Sequence, residues 1–214
     1  MIDAVIDVSH FDGTVDWTKV RAAGILGVVH KATQGKSYVD PTFSSARTAV
    51  PAAGLLWGAY HFGTGDESGK DQAQFFLDTV QPDAHTLCCI DFEPNPSGTQ
   101  MTLDEMLDWI GVVQHATGRP PVVYGGKSLL FGDIGTSQQP VLAKCPLWVA
   151  QYTTASAPSS IPSQVWPNWT LWQYTETGTI DGISVNVDRE RFNGTAEQLT
   201  AWWMGTPASD LGRL

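Results

Sequence analysis

Thr86-Leu87-Cys88-Cys89-Ile90-Asp91-Phe92-Glu93 decides the fold, because it is a strand-like run that finishes on two acids. Alternation with period two puts Asp91 and Glu93 on one face and Ile90 and Phe92 on the other. Upstream, Ala4 to Ser9, Gly27 to Thr33 and Trp57 to Phe62 have the same character, and downstream Pro121 to Gly125 has it too. Helical patterns fill the gaps. Asp16 to Ala23 opens the first, and Thr42 to Ala49 forms the second, which Pro51 and Gly54 are expected to end. In the third, Ala73, Phe76, Leu77 and Val80 recur at helical spacing. The fourth begins with the capping box Thr102-x-x-Glu105 and buries Leu103, Leu107 and Ile110. Strand and helix in alternation imply βαβ units and a parallel sheet, with five β/α units in this stretch.

After residue 130 the pattern changes. Pro146 to Tyr152, Thr170 to Thr175 and Ile183 to Val187 read as strands with no helix between them. The expected fold is therefore α/β, an irregular TIM-like barrel of five β/α units followed by three strands without regular helices. A last helix starts at a second box, Thr195-x-x-Gln198, and packs Leu199, Trp202 and Trp203 on the body. Residues 1–204 are expected to form one catalytic barrel domain and 205–214 a flexible tail.

With 214 residues and 42% hydrophobic content, the chain can bury the core of such a barrel. A formal charge of -10 and a pI near 4.7 argue against a sequence-independent grip on nucleic acid or anionic lipid, which needs clustered Lys and Arg. Cys88, Cys89 and Cys145 have neither the even number of a disulfide framework nor the spacing of a zinc site, and read as buried thiols. The start of the chain has no basic segment, long apolar core or cleavage site of a signal peptide. No apolar run approaches the roughly 20 residues of a membrane span. The expectation is a soluble monomer without cofactor, metal, nucleic-acid partner or membrane insertion. Nine tryptophans fit core packing, which large aromatics dominate, and several of them equally fit a carbohydrate cleft, since sugar C–H faces stack on aromatic planes.

Barrel enzymes place their chemistry at the C-terminal ends of the strands. Asp7 ends the first strand, Asp91 and Glu93 the fourth, and Asp188 the last, which is expected to close beside the first. Burial and like-charge proximity would leave one acid protonated beside an ionised one, the division of labour that glycoside hydrolysis requires. Two residues along a strand separate Cα atoms by about 6.6 Å, which admits both retaining and inverting geometries. Rival readings are weaker. Asp91 and Glu93 could cap a strand or hold a structural cation, and His30 and His61 could join Asp91 at a metal. No H-x-H or H-E-x-x-H spacing supports the latter, so hydrogen-bonded barrel histidines are expected. Ser9 lacks a nucleophile elbow.

Several blocks together resemble glycoside hydrolase family 25, the lysozymes, from about Asp3 to Phe192. They are Ile6-Asp7-Val8-Ser9 with Val15-Asp16-Trp17, then His30-Lys31-Ala32-Thr33-Gln34-Gly35 with Tyr38-Val39-Asp40-Pro41, and Gly58-Ala59-Tyr60-His61-Phe62. Later come Ile90-Asp91-Phe92-Glu93, Trp148-Val149-Ala150-Gln151-Tyr152, Leu171-Trp172-Gln173-Tyr174-Thr175, and Val187-Asp188 with Phe192. The resemblance implies N-acetylmuramidase activity on peptidoglycan, at the β-1,4 bond between N-acetylmuramic acid and N-acetylglucosamine, in the wall outside the cytoplasmic membrane. It implies Glu93 as general acid, Asp91 as partner of the substrate's 2-acetamido group, and Asp7 and Asp188 as further cleft acids. Tyr60, Tyr124, Trp148, Gln151, Tyr152, Trp172 and Gln173 fall where the family places saccharide contacts.

His10-Phe11-Asp12 and Gln34 depart from the family pattern, where a Gln before Gly and a Glu are frequent. The bare D-x-E also resembles family 18 chitinases, but Cys89 stands in place of their preceding acid. A carbohydrate-binding barrel without turnover and a zinc-dependent wall amidase are the readings from other classes. A phage or prophage lysis enzyme, or a secreted enzyme lacking its leader, fits the missing signal peptide.

Overall fold

The computed structural model describes residues 1–126, 134–135, 138–159 and 161–205. Among them, β1 (Ile2–Val8), β2 (Gly27–Gln34), β4 (Leu56–Phe62), β5 (Leu87–Asp91) and β6 (Val122–Gly126) fall within one or two residues of the expected runs. The later strands are β7 (Leu147–Ala150), β8 (Leu171–Gly178) and β9 (Val187–Phe192). A two-residue strand, β3 (Tyr38–Val39), folds back on β2 as a hairpin that the sequence pattern does not announce. Pairing of β1 with β2 closes the other eight strands into a barrel.

Six pairs around the barrel are parallel, but β9 runs antiparallel to both β8 and β1. The expected last strand, Ile183 to Val187, is thus displaced. Strand β9 begins at Val187, and Asp188 lies at its start rather than its end. Reversed direction brings that start to the same mouth as the other strands' C-terminal ends, with Asp188 paired to Asp7.

The helices α1 (Trp17–Ala22), α2 (Phe43–Ala52), α3 (Gly69–Val80) and α4 (Leu103–Thr117) follow β1, β2–β3, β4 and β5. Their starts are set by side chains that satisfy free backbone N–H groups: Asp16 accepts from Lys19 N, Ser68 from Asp71 N, and Thr102 and Glu105 form the expected box. Pro51 sits inside the last turn of α2 and does not end it. Ala53 N still donates to Ala49 O, and Gly54, at φ 75°, turns the chain into β4. A one-turn helix, α5 (Gln139–Leu142), precedes β7, and α6 (Ala196–Trp203) starts at the second expected box, Thr195 and Gln198. Of the tail expected over residues 205–214, all but Gly205 lies outside the described residues. No helix among the described residues is long and apolar enough to cross a membrane.

Alternation divides the core in two. Ile6, Val28, Ile90, Val123 and Val149 face outward with Phe76 and Trp109 of the helix layer. Val5, Val29, Cys89, Val122 and Leu171 face inward. Below them Trp203 of α6 plugs the barrel and donates from Nε1 to Trp57 O (2.8 Å). Two glycines make room for it. A Cβ on Gly27 would lie 2.6 Å from Trp203 Cζ3, and one on Gly58 3.2 Å from its Cζ2. All three cysteines are free and buried.

Candidate active site

Two residues beyond the apolar floor, each strand changes chemistry. Val5 leads to Asp7, Val29 to Lys31, Cys89 to Asp91, Val122 to Tyr124 and Leu171 to Gln173. The resulting cleft gathers Asp7, Asp91, Glu93 and Asp188, the four acids that the sequence singles out. Tyr60, Tyr124, Trp148 and Gln173 complete its wall. Glu93 lies two residues past the end of β5, while Ile90 and Phe92 enter the outer core as alternation requires. Lys31, Phe11, Asp12, Glu176 and Asn186 carry the cleft outward from Asp91 and Glu93.

A chain of hydrogen bonds fixes the deep side. The Tyr124 and Tyr152 hydroxyls both donate to Gln173 Oε1 (2.9 Å each), which dictates that Gln173 Nε2 faces and donates to Asp7 Oδ2 (2.8 Å). Three strands and a loop thereby orient one carboxylate. At the rim, Ser9 N donates to Asp12 Oδ2 (2.8 Å), and Lys31 Nζ donates to Gln34 Oε1 (2.9 Å) over the Phe62 ring.

Electrostatics follow from burial. Loss of solvation pushes Asp7 up to about 6 even though Glu190 and Gln173 hydrogen bonds pull it back. Burial, then repulsion from Asp7 and other acids, pushes Asp188 up to about 8. Asp91 rises well above the carboxylate range through burial and the neighbouring Glu93, and Glu93 rises through burial and Asp7. Lys31 opposes both rises, while its own ammonium is lowered by burial. These shifts favour a proton held on the Asp91–Glu93 pair. Asp91 Oδ1 and Trp148 Nε1 are buried without a hydrogen-bond partner among the described residues, one a spare acceptor and the other a spare donor.

The remaining expected contacts fall elsewhere. Tyr152 is half exposed and reaches the cleft through its hydroxyl on Gln173. Gln151 instead clasps the following loop: its Nε2 donates to Ser159 Oγ (2.8 Å) and its Oε1 accepts from Ser159 N (2.9 Å). Trp172 is wholly buried in the outer core, its Nε1 donating to Gln151 O, so no sugar can reach its ring. His30 and His61 also face outward. Thr42 and Lys31 O engage the nitrogens of His30, and Thr33 and Gln72 those of His61, which burial lowers to about 4.

Two residues to which the sequence reading gives no role belong to this region, Lys31 and Glu190. Alternation signals both: Lys31 follows Val29 on the inner face, and Glu190 lies between Asp188 and Phe192. A last strand ending at Val187 would have left Glu190 outside the barrel.

Known proteins are similar to this chain in sequence and in fold. The sequence profile described as Glycosyl hydrolases family 25 matches residues 6–183. Lysozyme M1 of Streptomyces globisporus is 39% identical over 92% of this chain and 69% of its own length. The N,O-diacetylmuramidase of Chalaropsis sp is 32% identical over 85% of this chain and 94% of its own. A crystal structure of the bacterial lysozyme from Streptomyces coelicolor superposes with a TM-score of 0.86 at 36% identity, covering 97% of this chain and 100% of that one. An acid-lined mouth on an eight-stranded barrel, a profile match across most of the chain and these relatives agree: the chain is a glycoside hydrolase belonging to glycosyl hydrolases family 25.

Proposed function

We propose that this enzyme cleaves the β-1,4 bond between N-acetylmuramic acid and N-acetylglucosamine in peptidoglycan, acting on the wall outside the cytoplasmic membrane. The relatives named lysozyme and N,O-diacetylmuramidase support the substrate. The observation that carries the chemistry is the pair of carboxyls, Asp91 and Glu93, in one cleft, both raised by burial and Asp91 also by Glu93.

In the empty cleft, Asp91 is the deeper carboxyl and holds the shared proton more readily. A 2-acetamido N–H donating to Asp91 stabilises its ionised form and shifts the proton to Glu93. Glu93 then protonates the glycosidic oxygen as the bond to the anomeric carbon breaks. The acetamido carbonyl oxygen closes on that carbon, giving an oxazolinium ion whose charge Asp91 balances. Water, deprotonated by Glu93, opens it with net retention. Tyr60 and Trp148, which line the wall of the cleft, would pack against the sugar.

The test is clearing of a cell-wall suspension by the wild type and by Glu93→Gln, with mass spectra of the released fragments. Loss of clearing in the variant and new reducing muramic acid ends in the wild-type digest are expected; equal clearing by both would remove the acid. Proton NMR of the first-formed anomer tests the acetamido step, which an inverted product sinks.

A further inference from the structure

Among the acids buried in the described barrel is one to which this reaction gives no part. Glu190 has no exposed surface, and its strand pairs it with Val5 of β1 and Gln173 of β8. As a carboxylate it has no donor: neither oxygen meets an N–H or O–H among the described residues. Val5, its partner on β1, leads two residues along the inner face to Asp7, and Gln173, its partner on β8, donates to that same carboxyl, so Asp7 is the acid set beside it. Two carboxyl groups that meet away from water bond only through a proton, with one of them carrying an O–H.

Which one follows from the surroundings. Asp7 already accepts from Gln173 Nε2, a bond that favours its ionised form, whereas Glu190 has no such support. Around the pair stand Asp3 on β1, Asp188 on β9 and Asp12 from the turn after β1. Across the cleft, Tyr60, Cys89, Asp91, Glu93, Tyr124 and Tyr152 feel Asp7, and all are acids or neutral groups. The cation of the cleft, Lys31, acts on Asp91 and Glu93. Arg189 and Arg191, which flank Glu190 on β9, turn outward, one to Asp3 (3.1 Å) and the other over the Tyr174 ring.

We propose that Glu190 is a positioning residue: a neutral acid whose O–H donates to Asp7 and so holds Asp7 ionised beside Glu93. After burial, the Asp7 charge is what raises Glu93, so Glu190 acts on the reaction through it. The pair also places one negative charge under the cleft instead of two. This inference rests on Glu93 as the general acid.

Two measurements test it. An acid protonated only in the folded state makes folding weaken as pH rises above the unfolded value, near 4.3 for Glu. Glu190→Gln keeps a donor for Asp7 and removes that titration. Its Tm relative to wild type should therefore climb by about 3 °C per pH unit between pH 5 and 8, starting from no gain near pH 4. A Tm difference that does not change with pH overturns the proton on Glu190. For the reaction, Glu190→Leu leaves Asp7 without that donor, and Asp7 takes up a proton. The alkaline limb of kcat/KM should then move to lower pH by about one unit, while Glu190→Gln keeps it at the wild-type position. A limb that stays put in Glu190→Leu overturns the link to Glu93, since loss of packing alone lowers rate or stability without moving a titration. If wild type and Glu93→Gln clear walls equally, the acid assignment has failed instead, and the Tm comparison still judges the Asp7–Glu190 pair.

Discussion

The floor and the mouth of this barrel are made by the same strands, two residues apart, and they oppose each other energetically. At the floor, Val5, Val29, Cys89, Val122 and Leu171 close around Trp203, and every inward side chain gains from leaving water. At the mouth, Asp7, Lys31, Asp91, Tyr124 and Gln173 occupy the next inward positions, and burial there raises the acids against their ionisation. Stability comes from one layer and reactivity from the strain placed on the other. Substitutions in the two layers should therefore fail in opposite ways.

The largest effect belongs at the mouth. Glu93→Gln should lower kcat by about 10³-fold, the scale of a lost general acid, with Tm at neutral pH unchanged or higher because a half-buried acid has gone. Rates of wall clearing beside a thermal melt check both halves. A variant within tenfold of wild type would break the contrast at its most important residue.

Trp203→Ala reverses the pattern. Removing the plug beneath Gly27 and Gly58 should cost about 3–5 kcal/mol and lower Tm by roughly 10 °C, while kcat at 20 °C stays within about twofold. A large loss of kcat in a melt-verified folded sample would mean that the floor also sets the cleft's geometry.

Much of this layering is legible in the sequence. Period-two alternation separates Ile90 and Phe92 from Asp91 and Glu93, and the Thr102 and Thr195 boxes place two helices to the residue. The direction of β9 is not legible. Alternation is the same read either way, and Ile183 to Val187 offers an apolar decoy next to the true strand. Polarity is set by hydrogen bonds to β8 and β1, partners about 15 and 180 residues away in the chain. Asp188 reaches the mouth because the strand starts there, and Glu190 becomes an inward residue for the same reason. Trp172 and Gln173 show the opposite case. Adjacent residues of one strand cannot both face the cleft, so parity alone excludes Trp172 once Gln173 is inside.

Asp188 gives a mid-sized test of the strain. Its pKa is raised to about 8, above the unfolded value, so the stability it permits is full below about pH 4 and is lost as pH rises through 8. Asp188→Asn removes that loss. Solvent screening at the open side reduces the gain to about 2 kcal/mol, or roughly 4–8 °C in Tm at pH 8, with no gain at pH 4. Melts at the two pH values check it, and an equal gain at both would show that Asp188 does not titrate in this range.

The smallest effects mark where the mouth stops. Tyr152 and Gln151 are neighbours just past β7, and family resemblance gives both a sugar contact. The hydroxyl of Tyr152 holds Gln173 Oε1, but Tyr124 holds the same atom, so Tyr152→Phe leaves Gln173 oriented by one donor rather than two. A hydrogen bond of about 1 kcal/mol, half shielded, corresponds to roughly a threefold fall in kcat/KM. Gln151 spends both ends of its amide on Ser159 and points away from the acids, so Gln151→Ala should loosen the loop and change kcat/KM by less than about twofold. Kinetics on a soluble wall oligosaccharide separate the two. If Gln151→Ala had the larger effect, mainly in KM, substrate would have to extend over the Ser159 loop, and the boundary drawn by strand parity would lie one residue too far inward.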